Sequence, residues 1–396
     1  MPWRECNRMD ERLRFVARLL DGEKMAAVCR EFGISRKTGY KIFNRYKDEG
    51  LYGLEDRSRC AHRHPNRLPF QLEKAILRIK RAHGTWGAPK IRDKLAKEYA
   101  GLKAPATSTI HAVLDRHGLV KRRKRRRYKA QGTEFGDARI PNGLWCADFK
   151  GQFRLGNRKY CYPLTVTDYC SRYLLSCEGL DSTKEAGAFA VFERVFKEFG
   201  LPNAIRTDNG VPFASAHAMF GLSRLSVWWL RLGISIERIK PGRPQQNGRH
   251  ERMHLTLKKE ATRPHSYNFL QQQARFDDFI EVYNNERPHQ ALGGKYPGEV
   301  YTPSAREFLP PQVPEYPFHD RTIRVTQCGR LCVGRRKINL SNVFGGQYVG
   351  IREVAEQIWL VSFMNYDLGF FDQDEDRVEP VGHNPFAPKV LPMAPE

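Results

Sequence analysis

Apolar positions return with two different periods along this chain, and the change between them divides it. Through residue 130 the period is helical. Leu13, Val16, Ala17 and Leu20 share one stripe, which Asp21-Gly22 closes. The segment K-M-A-A-V-C-R-E-F-G-I-S-R-K-T-G-Y-K-I-F-N-R-Y-K then predicts a helix-turn-helix. It has a short helix with Ala26 and Ala27 small enough for close packing, a turn at Gly33, and a second helix capped by Ser35. Val28, Ile42 and Phe43 are its expected core. Residues 50–66 are polar and basic and read as a linker. A second helical block places Leu72, Ala75, Ile76 and Ile79 inward, breaks at Gly84-Thr85-Trp86-Gly87-Ala88-Pro89, and resumes with Ile91 and Leu95. Thr107 or Ser108 is placed to cap a third helix carrying Ile110, Val113 and Leu114, and Gly118 ends it. Three short helices of this kind predict a second helix-turn-helix-like unit.

From residue 139 aromatic and β-branched residues take over, and residues 144–151, 160–168 and 172–179 read as strands of a meander. Ser182 is placed to cap a helix through Ala186, Phe189, Val191, Phe192, Val195, Phe196 and Phe199, stopped by Gly200. An apolar pair, Ala204 and Ile205, then marks a strand that ends at Asp208. A helical segment at 219–232, a strand at 234–239 and a helix announced by Pro244 and Asn247-Gly248 come next. Residues 270–286 form an amphipathic pattern on Ala274, Phe276, Phe279, Ile280, Val282 and Tyr283. Strands followed by alternating helix and strand predict a mixed sheet flanked by helices. Beyond Tyr301-Thr302-Pro303, P-P-Q-V-P-E-Y-P is a stiff linker. Residues 323–371 look all-β and suggest a small barrel, and the Pro- and Asp-rich end is expected to be unstructured. The expected chain is multidomain. An all-α helix-turn-helix unit (1–57) precedes a second one with a basic linker (65–130), a central α/β core (135–305) and a C-terminal small β-barrel-like module (318–375).

Charge adds a partner to this outline. Of the formal +23, +20 lies in residues 1–130, where 34 Lys and Arg face 14 Asp and Glu. Such asymmetry marks a polyanion-binding front end. Arg36, Lys37, Thr38, Tyr40, Lys41 and Arg45 lie on the second helix of the first unit, whose start is the part that enters a major groove. The run K-R-R-K-R-R-R-Y-K at 121–129, with Arg122, Arg123, Arg125 and Arg126, repels itself until phosphates neutralise it, so binding should be salt-sensitive. A plain helical hairpin and a localisation signal are the bland alternatives. Nine scattered cysteines without a Cys-x-x-Cys pair, and an opening Met-Pro-Trp-Arg-Glu unlike a signal peptide, predict reduced thiols in a cytoplasmic protein. Cys60-Ala61-His62-Arg63-His64 lacks the second ligand pair of a structural zinc site. No run of about 18 apolar residues exists to span a membrane.

Candidate chemistry gathers on three acids. Asp208 stands where a buried strand stops, Glu251 lies just inside an incoming helix, and Asp148 sits in a strand among Trp145, Cys146, Ala147 and Phe149, where a charge is unexpected unless paired or metal-bound. Oxygen-only ligands suit Mg²⁺ or Mn²⁺, and two such ions serve phosphoryl transfer without a protein nucleophile. Three unrelated structural acids are the alternative. Asp168, before Ser171-Arg172, reads as a structural brace held by an ion pair, with direct metal ligation as the alternative. His250-Glu251-Arg252-Met253-His254 also matches the zinc-protease string His-Glu-x-x-His, but a protease leaves Asp148, Asp208 and the basic front end unexplained.

The order Trp-x-x-Asp-Phe, Thr-Asp-Asn-Gly, Pro-x-x-Asn-Gly-x-x-Glu-Arg resembles the catalytic core of the retroviral-integrase superfamily, and more narrowly the DDE-type transposases of bacterial insertion sequences. Y-N-N-E-R-P-H-Q-A-L-G-G-K-Y-P before Tyr301-Thr302-Pro303 is similar to the end of that core. The resemblance covers roughly residues 144–303. It implies an RNase H-like fold, with Asp148, Asp208 and Glu251 as catalytic and metal-binding acids for two Mg²⁺ or Mn²⁺ ions. It also implies terminal inverted repeats and target DNA as partners, a homo-oligomer of at least two copies, and a nucleoid-associated bacterial setting. A non-catalytic DNA-binding regulator derived from such an enzyme is the alternative. Two departures stand out. The 42 residues between Asp208 and Glu251 exceed the usual gap, with the surplus expected as a surface insertion at 214–226. Of two basic positions expected after the glutamate, Lys258 fills the second, as a DNA contact, while Leu255 occupies the first.

Overall fold

A computed structural model describes residues 7–56, 68–99, 101, 103–120, 139–215, 218–239, 247–372 and 377–386. The chain divides into two compact units, Met1–Pro69 and Phe70–Glu396. The first holds α1 (Arg8–Leu20), α2 (Met25–Glu31) and α3 (Arg36–Glu49), closed by a 3-10 turn at Gly50–Leu54. Ser35 caps α3 by accepting from the Thr38 amide at 3.1 Å, and Gly33 makes the preceding turn at φ +62°.

Two expectations about packing change here. The inward face of α1 is Phe15 and Val16, while Leu13 and Leu20 are exposed, because the ring of Phe32 meets Phe15 edge-on at 5.5 Å and draws that side in. Close approach of α2 to α3 depends on Gly39 rather than on Ala26 and Ala27. A Cβ there would lie 2.4 Å from Cys29 Sγ and 2.9 Å from Met25 Sδ. The expected linker also starts later than residue 50, since Leu54 is buried in this core and its carbonyl accepts from Arg12 at 2.6 Å.

The second unit opens with α4 (Phe70–Ala82), α5 (Ala88–Glu98) and α6 (Thr107–Arg116), packed through Ile76, Ile79, Trp86, Ile91, Leu95 and Ile110. α6 begins at Thr107 with Ala106 in the cap position, so neither Thr107 nor Ser108 acts as its cap. These helices dock on more distant parts of the same unit. Lys94 pairs with Glu286 at 3.2 Å, Lys97 with Glu299, and the Thr85 hydroxyl donates to Glu260.

The central sheet comprises β1 (Leu144–Phe149), β2 (Phe153–Arg154), β3 (Tyr160–Asp168), β4 (Leu174–Leu180), β5 (Ala204–Thr207) and β6 (Ser235–Arg238). β1 lies in the middle, antiparallel to β3 and parallel to β5. β4 adds antiparallel to the far edge of β3, β2 pairs antiparallel with the start of β3, and β6 adds parallel to β5. Helices cover both faces: α7 (Glu185–Phe199) and α8 (Arg224–Arg231) on one, α9 (Gly248–Glu260) and α10 (Phe269–Asn285) on the other. Side chains alternate across a strand. Trp145, Ala147, Leu164 and Val166 pack on the α7–α8 side, which turns Asp148, Thr165 and Thr167 toward α9. The expected cap of α7 is not used. Ser182 donates to Asp181 at 3.1 Å, and Lys184 stands at the cap position. The inward face of α10 is Gln272, Phe276, Phe279, Tyr283 and Asn284, with Ala274 outside.

The C-terminal module is all-β, as expected, but open. β7 (Arg321–Arg324), β10 (Tyr348–Ala355), β11 (Ile358–Phe363), β12 (Tyr366–Asp372) and β13 (Glu379–Pro380) form an antiparallel sheet in the order β13-β12-β11-β10-β7. β8 (Arg330–Val333) and β9 (Arg336–Asn339) make a separate hairpin. Among the described residues the ends of the sheet do not meet, so there is no closed barrel. Part of the expected unstructured end is ordered. Glu379 and Pro380 pair with β12, and Phe386 is buried against Tyr366, ring centroids 4.5 Å apart.

The surplus before Glu251 is not a surface insertion. Leu222, Val227, Leu230 and Ile236 are buried in one cluster with Val325, Leu331, Val349, Trp359 and other residues of the C-terminal module, and Ala218, Met219 and Phe220 pack against it. Its apolar residues need a partner to leave water, and the β module is that partner. The proline-rich stretch before the module is tied down as well. Tyr316 is buried, and its hydroxyl donates to the Tyr348 carbonyl at 2.7 Å.

Candidate active site

The three sequence-selected acids come from three elements of the central unit. Asp148 is the next-to-last residue of β1, Asp208 follows β5 directly, and Glu251 lies in the first turn of α9. β1 and β5 are parallel neighbours, so the acids at their C-terminal ends share one edge of the sheet. Asp208 Oδ1 accepts from the Gly210 amide at 3.1 Å, which fixes the turn through Asn209. Asp148 is half-buried, and its carboxyl is pushed up to about 7. Loss of water is the main cause, followed by the negative charge of Asp208 and, more weakly, of Glu251; Lys150 pulls the other way. Asp208 and Glu251 thus both act on Asp148 electrostatically. A carboxyl raised by burial and further by two other carboxylates marks a place short of positive charge. The oxygen donors of Asp148, Asp208 and Glu251 fit hard divalent cations, so the residues present suit Mg²⁺ or Mn²⁺.

A buried polar cluster lies behind Asp148. Thr165 Oγ1 is 3.0 Å from the Asp148 carbonyl, 2.8 Å from His250 Nε2 and 2.7 Å from His254 Nε2, while His250 Nδ1 is 2.9 Å from Thr167 Oγ1. Burial drives the two imidazoles down to about 3 and about 2, so both are neutral. Asp148, His250 and His254 offer donor atoms within 4.8 Å of one another. The zinc-protease string does not form the arrangement it suggests. Both nitrogens of His250 are engaged by threonine hydroxyls, and Glu251 faces outward. Nothing in the sequence paired Thr165 and Thr167 with the histidines. Only the antiparallel register of β3 on β1, which sets Thr165 opposite Asp148, does so.

Lys258 is exposed on the last turn of α9; burial first, and then the charge of Lys258, lower the ammonium of Lys150, so the two lysines are neighbours. Lys150 also acts on Asp148 and was not singled out from the sequence; a basic residue two positions beyond a candidate ligand was the available signal. Asp168 is a brace, but through hydrogen bonds rather than the expected ion pair. It accepts from the Asn142 amide at 2.8 Å, the Ser171 amide at 2.7 Å and the Ser171 hydroxyl at 2.6 Å. On α3, Arg36, Lys37, Thr38, Tyr40 and Lys41 are exposed. Arg45 is half-buried and donates to the Glu55 carbonyl at 3.0 Å, so it braces its own unit. Arg122, Arg123, Arg125 and Arg126, like Pro244 and the Cys60–His64 string, lie outside the described residues. Among the described residues no helix is long and apolar enough to cross a membrane.

Residues 138–244 and 232–297 match family models described as integrase core domain, and residues 6–55 and 38–114 match models described as homeodomain-like domain. Fold and matches together define an integrase-core protein with homeodomain-like helical units ahead of the core. Among similar proteins, one from insertion element IS476 of Xanthomonas euvesicatoria is 26% identical over 69% of this chain and 77% of its own length. Another, from insertion element IS407 of Burkholderia multivorans, is 27% identical over 48% of this chain and 73% of its own. The chain is thus similar to insertion-element proteins over most of its length. A Gag-Pol polyprotein of baboon endogenous virus is 32% identical over 34% of this chain, though over only 8% of its own length. The catalytic core of HTLV-2 integrase, solved with magnesium, overlaps loosely (15% identity, TM-score 0.33, 41% of this chain and 98% of that one).

Proposed function

We propose that the chain is a DNA transposase that cleaves at the ends of its element and joins the resulting 3′-hydroxyl ends to target DNA. The observation that carries this reading is the convergence of three acids from β1, β5 and α9, with Asp148 pushed up to about 7 by burial first and by the charges of Asp208 and Glu251 after it. Two Mg²⁺ or Mn²⁺ ions held by these acids would supply the activation of the attacking oxygen and the stabilisation of the leaving one that phosphoryl transfer needs. The protein's own part is positioning. Lys150 presents its ammonium beside Asp148 and Lys258 its own next to Lys150, where they can hold the scissile strand by its phosphates. Joining is then a direct exchange: the 3′-oxygen forms a new bond to a target phosphorus, one target P–O bond breaks, and the departing oxygen takes up a proton.

Arg36, Lys37, Thr38, Tyr40 and Lys41 suit the major groove of the terminal repeats. The basic run with Arg122, Arg123, Arg125 and Arg126 suits backbone tracking. Two DNA ends demand two active sites, and so a homo-oligomer of at least two copies, working at the nucleoid in the bacterial cytoplasm.

The test uses oligonucleotides copied from the DNA flanking the reading frame. Wild-type protein should join them to a plasmid in Mg²⁺ or Mn²⁺. Asp148→Asn and Asp208→Asn should each reduce joining below detection while leaving end binding intact. Undiminished joining by either variant sinks the assignment. End binding by wild-type protein without metal-dependent joining would instead make the chain a non-catalytic DNA-binding regulator.

A further inference from the structure

The proton positions behind Asp148 are dictated by the hydrogen-bonding capacity of each atom. The Asp148 carbonyl can only accept, so the single hydroxyl hydrogen of Thr165 is spent on it at 3.0 Å. Thr165 Oγ1 then has only lone pairs left for its two imidazole neighbours. His250 Nε2 and His254 Nε2, at 2.8 and 2.7 Å, must therefore both carry hydrogens and donate. In a neutral imidazole the other nitrogen is bare. For His250 that nitrogen, Nδ1, is satisfied by the Thr167 hydroxyl at 2.9 Å. For His254 the bare Nδ1 lies 3.8 Å from Asp148 Oδ2. Two electron-pair donors thus face each other across a short gap at the edge of the acid cluster. That gap is shorter than two metal–ligand bonds of about 2.1 Å laid end to end, so one ion can touch both atoms.

We infer that His254 Nδ1 is a nitrogen ligand to the divalent ion that Asp148 holds, and that this site favours Mn²⁺ over Mg²⁺. The inference rests on the metal-dependent reading above. Its chemistry is that of the donor set, because a site with one nitrogen among its oxygens is poorer for Mg²⁺, which takes oxygen, than for a first-row transition ion such as Mn²⁺, which also accepts nitrogen. His250 is excluded as a ligand by its two threonine partners, and Thr165 becomes a positioning residue that sets which nitrogen of His254 is bare.

The experiment is Mn²⁺ binding to the full-length protein without DNA, read by electron spin-echo spectroscopy for coupling to an imidazole ¹⁴N, with Mn²⁺ and Mg²⁺ affinities measured by calorimetry. Wild-type protein and His250→Gln should both show the nitrogen coupling. His254→Gln should bind Mn²⁺ about tenfold or more weaker, lose the coupling, and leave Mg²⁺ affinity nearly unchanged. Bound Mn²⁺ in wild-type protein with no nitrogen coupling overturns the inference while leaving the three-acid site standing, and it needs no variant to fold. Coupling that persists in folded His254→Gln also overturns it. No Mn²⁺ binding at all removes the metal-dependent reading itself, and the inference with it.

Discussion

Burial pulls neighbouring residues of this site in opposite directions, and the consequence can be measured. Asp148 is held protonated up to about 7, whereas His250 and His254 stay neutral down to about 3 and about 2. A carboxyl with a raised pKa takes up its proton in the folded state first, so without metal it adds stability as pH falls below about 7. A histidine with a lowered pKa does the reverse. Its contribution is complete above the unfolded value near 6.5 and is lost as pH falls from there toward the folded value. The unfolded chain gains two histidine protons over that range, against one that the folded chain gains at Asp148, so these residues together make the metal-free protein acid-sensitive. Denaturant titrations between pH 6 and 4 should show His250→Gln with an acid-side stability slope shallower than wild type by roughly 1.4 kcal/mol per pH unit. Identical slopes would mean that His250 is protonated in the folded state. The acids themselves were legible in the sequence because a charge inside a β pattern is conspicuous and the three recur in a known order. The threonine–histidine cluster was not, because strand register decides which residues meet, and register is not written in local periodicity.

Elements were easiest to read where one face meets one partner. The helix-turn-helix showed through its Ser35 cap and Gly33 turn, both local signals that tertiary packing left alone. The direction in which α1 faces was misread by one side, because both stripes of R-L-R-F-V-A-R-L-L are apolar enough and only contact with Phe32 selects between them. Gly39 is the point at which α2 and α3 touch, with no room for a side chain between them. Gly39→Leu should therefore separate the two helices and cost roughly 1–3 kcal/mol or more, read as a lowered thermal midpoint with weakened binding to element ends. Binding and melting both like wild type would show that α2 can move away without penalty.

In the second unit the core and the C-terminal module share one apolar cluster, which takes in part of the expected insertion. Residues 214–226 read as an insertion because the 42 residues between Asp208 and Glu251 exceed the gap usual for the resembled core. Their partner lies more than a hundred residues downstream, in the C-terminal sheet. Leu222, Val227, Leu230 and Ile236 belong to the integrase core by chain position and to the β module by burial, while Arg231 of α8 reaches Gln347 at 2.6 Å. The two regions should unfold together. Calorimetry of residues 70–396 is expected to show one transition spanning core and C-terminal module, and two well-separated transitions would contradict the shared cluster.

That shared cluster also constrains how such a protein can change over generations. A C-terminal module exchanged between two elements would arrive facing a platform shaped for another tail. An exchange that succeeds must carry the matching turn between the second acid and the third. The length of that turn is then an inherited companion of the tail, and the two should vary together from one element to the next.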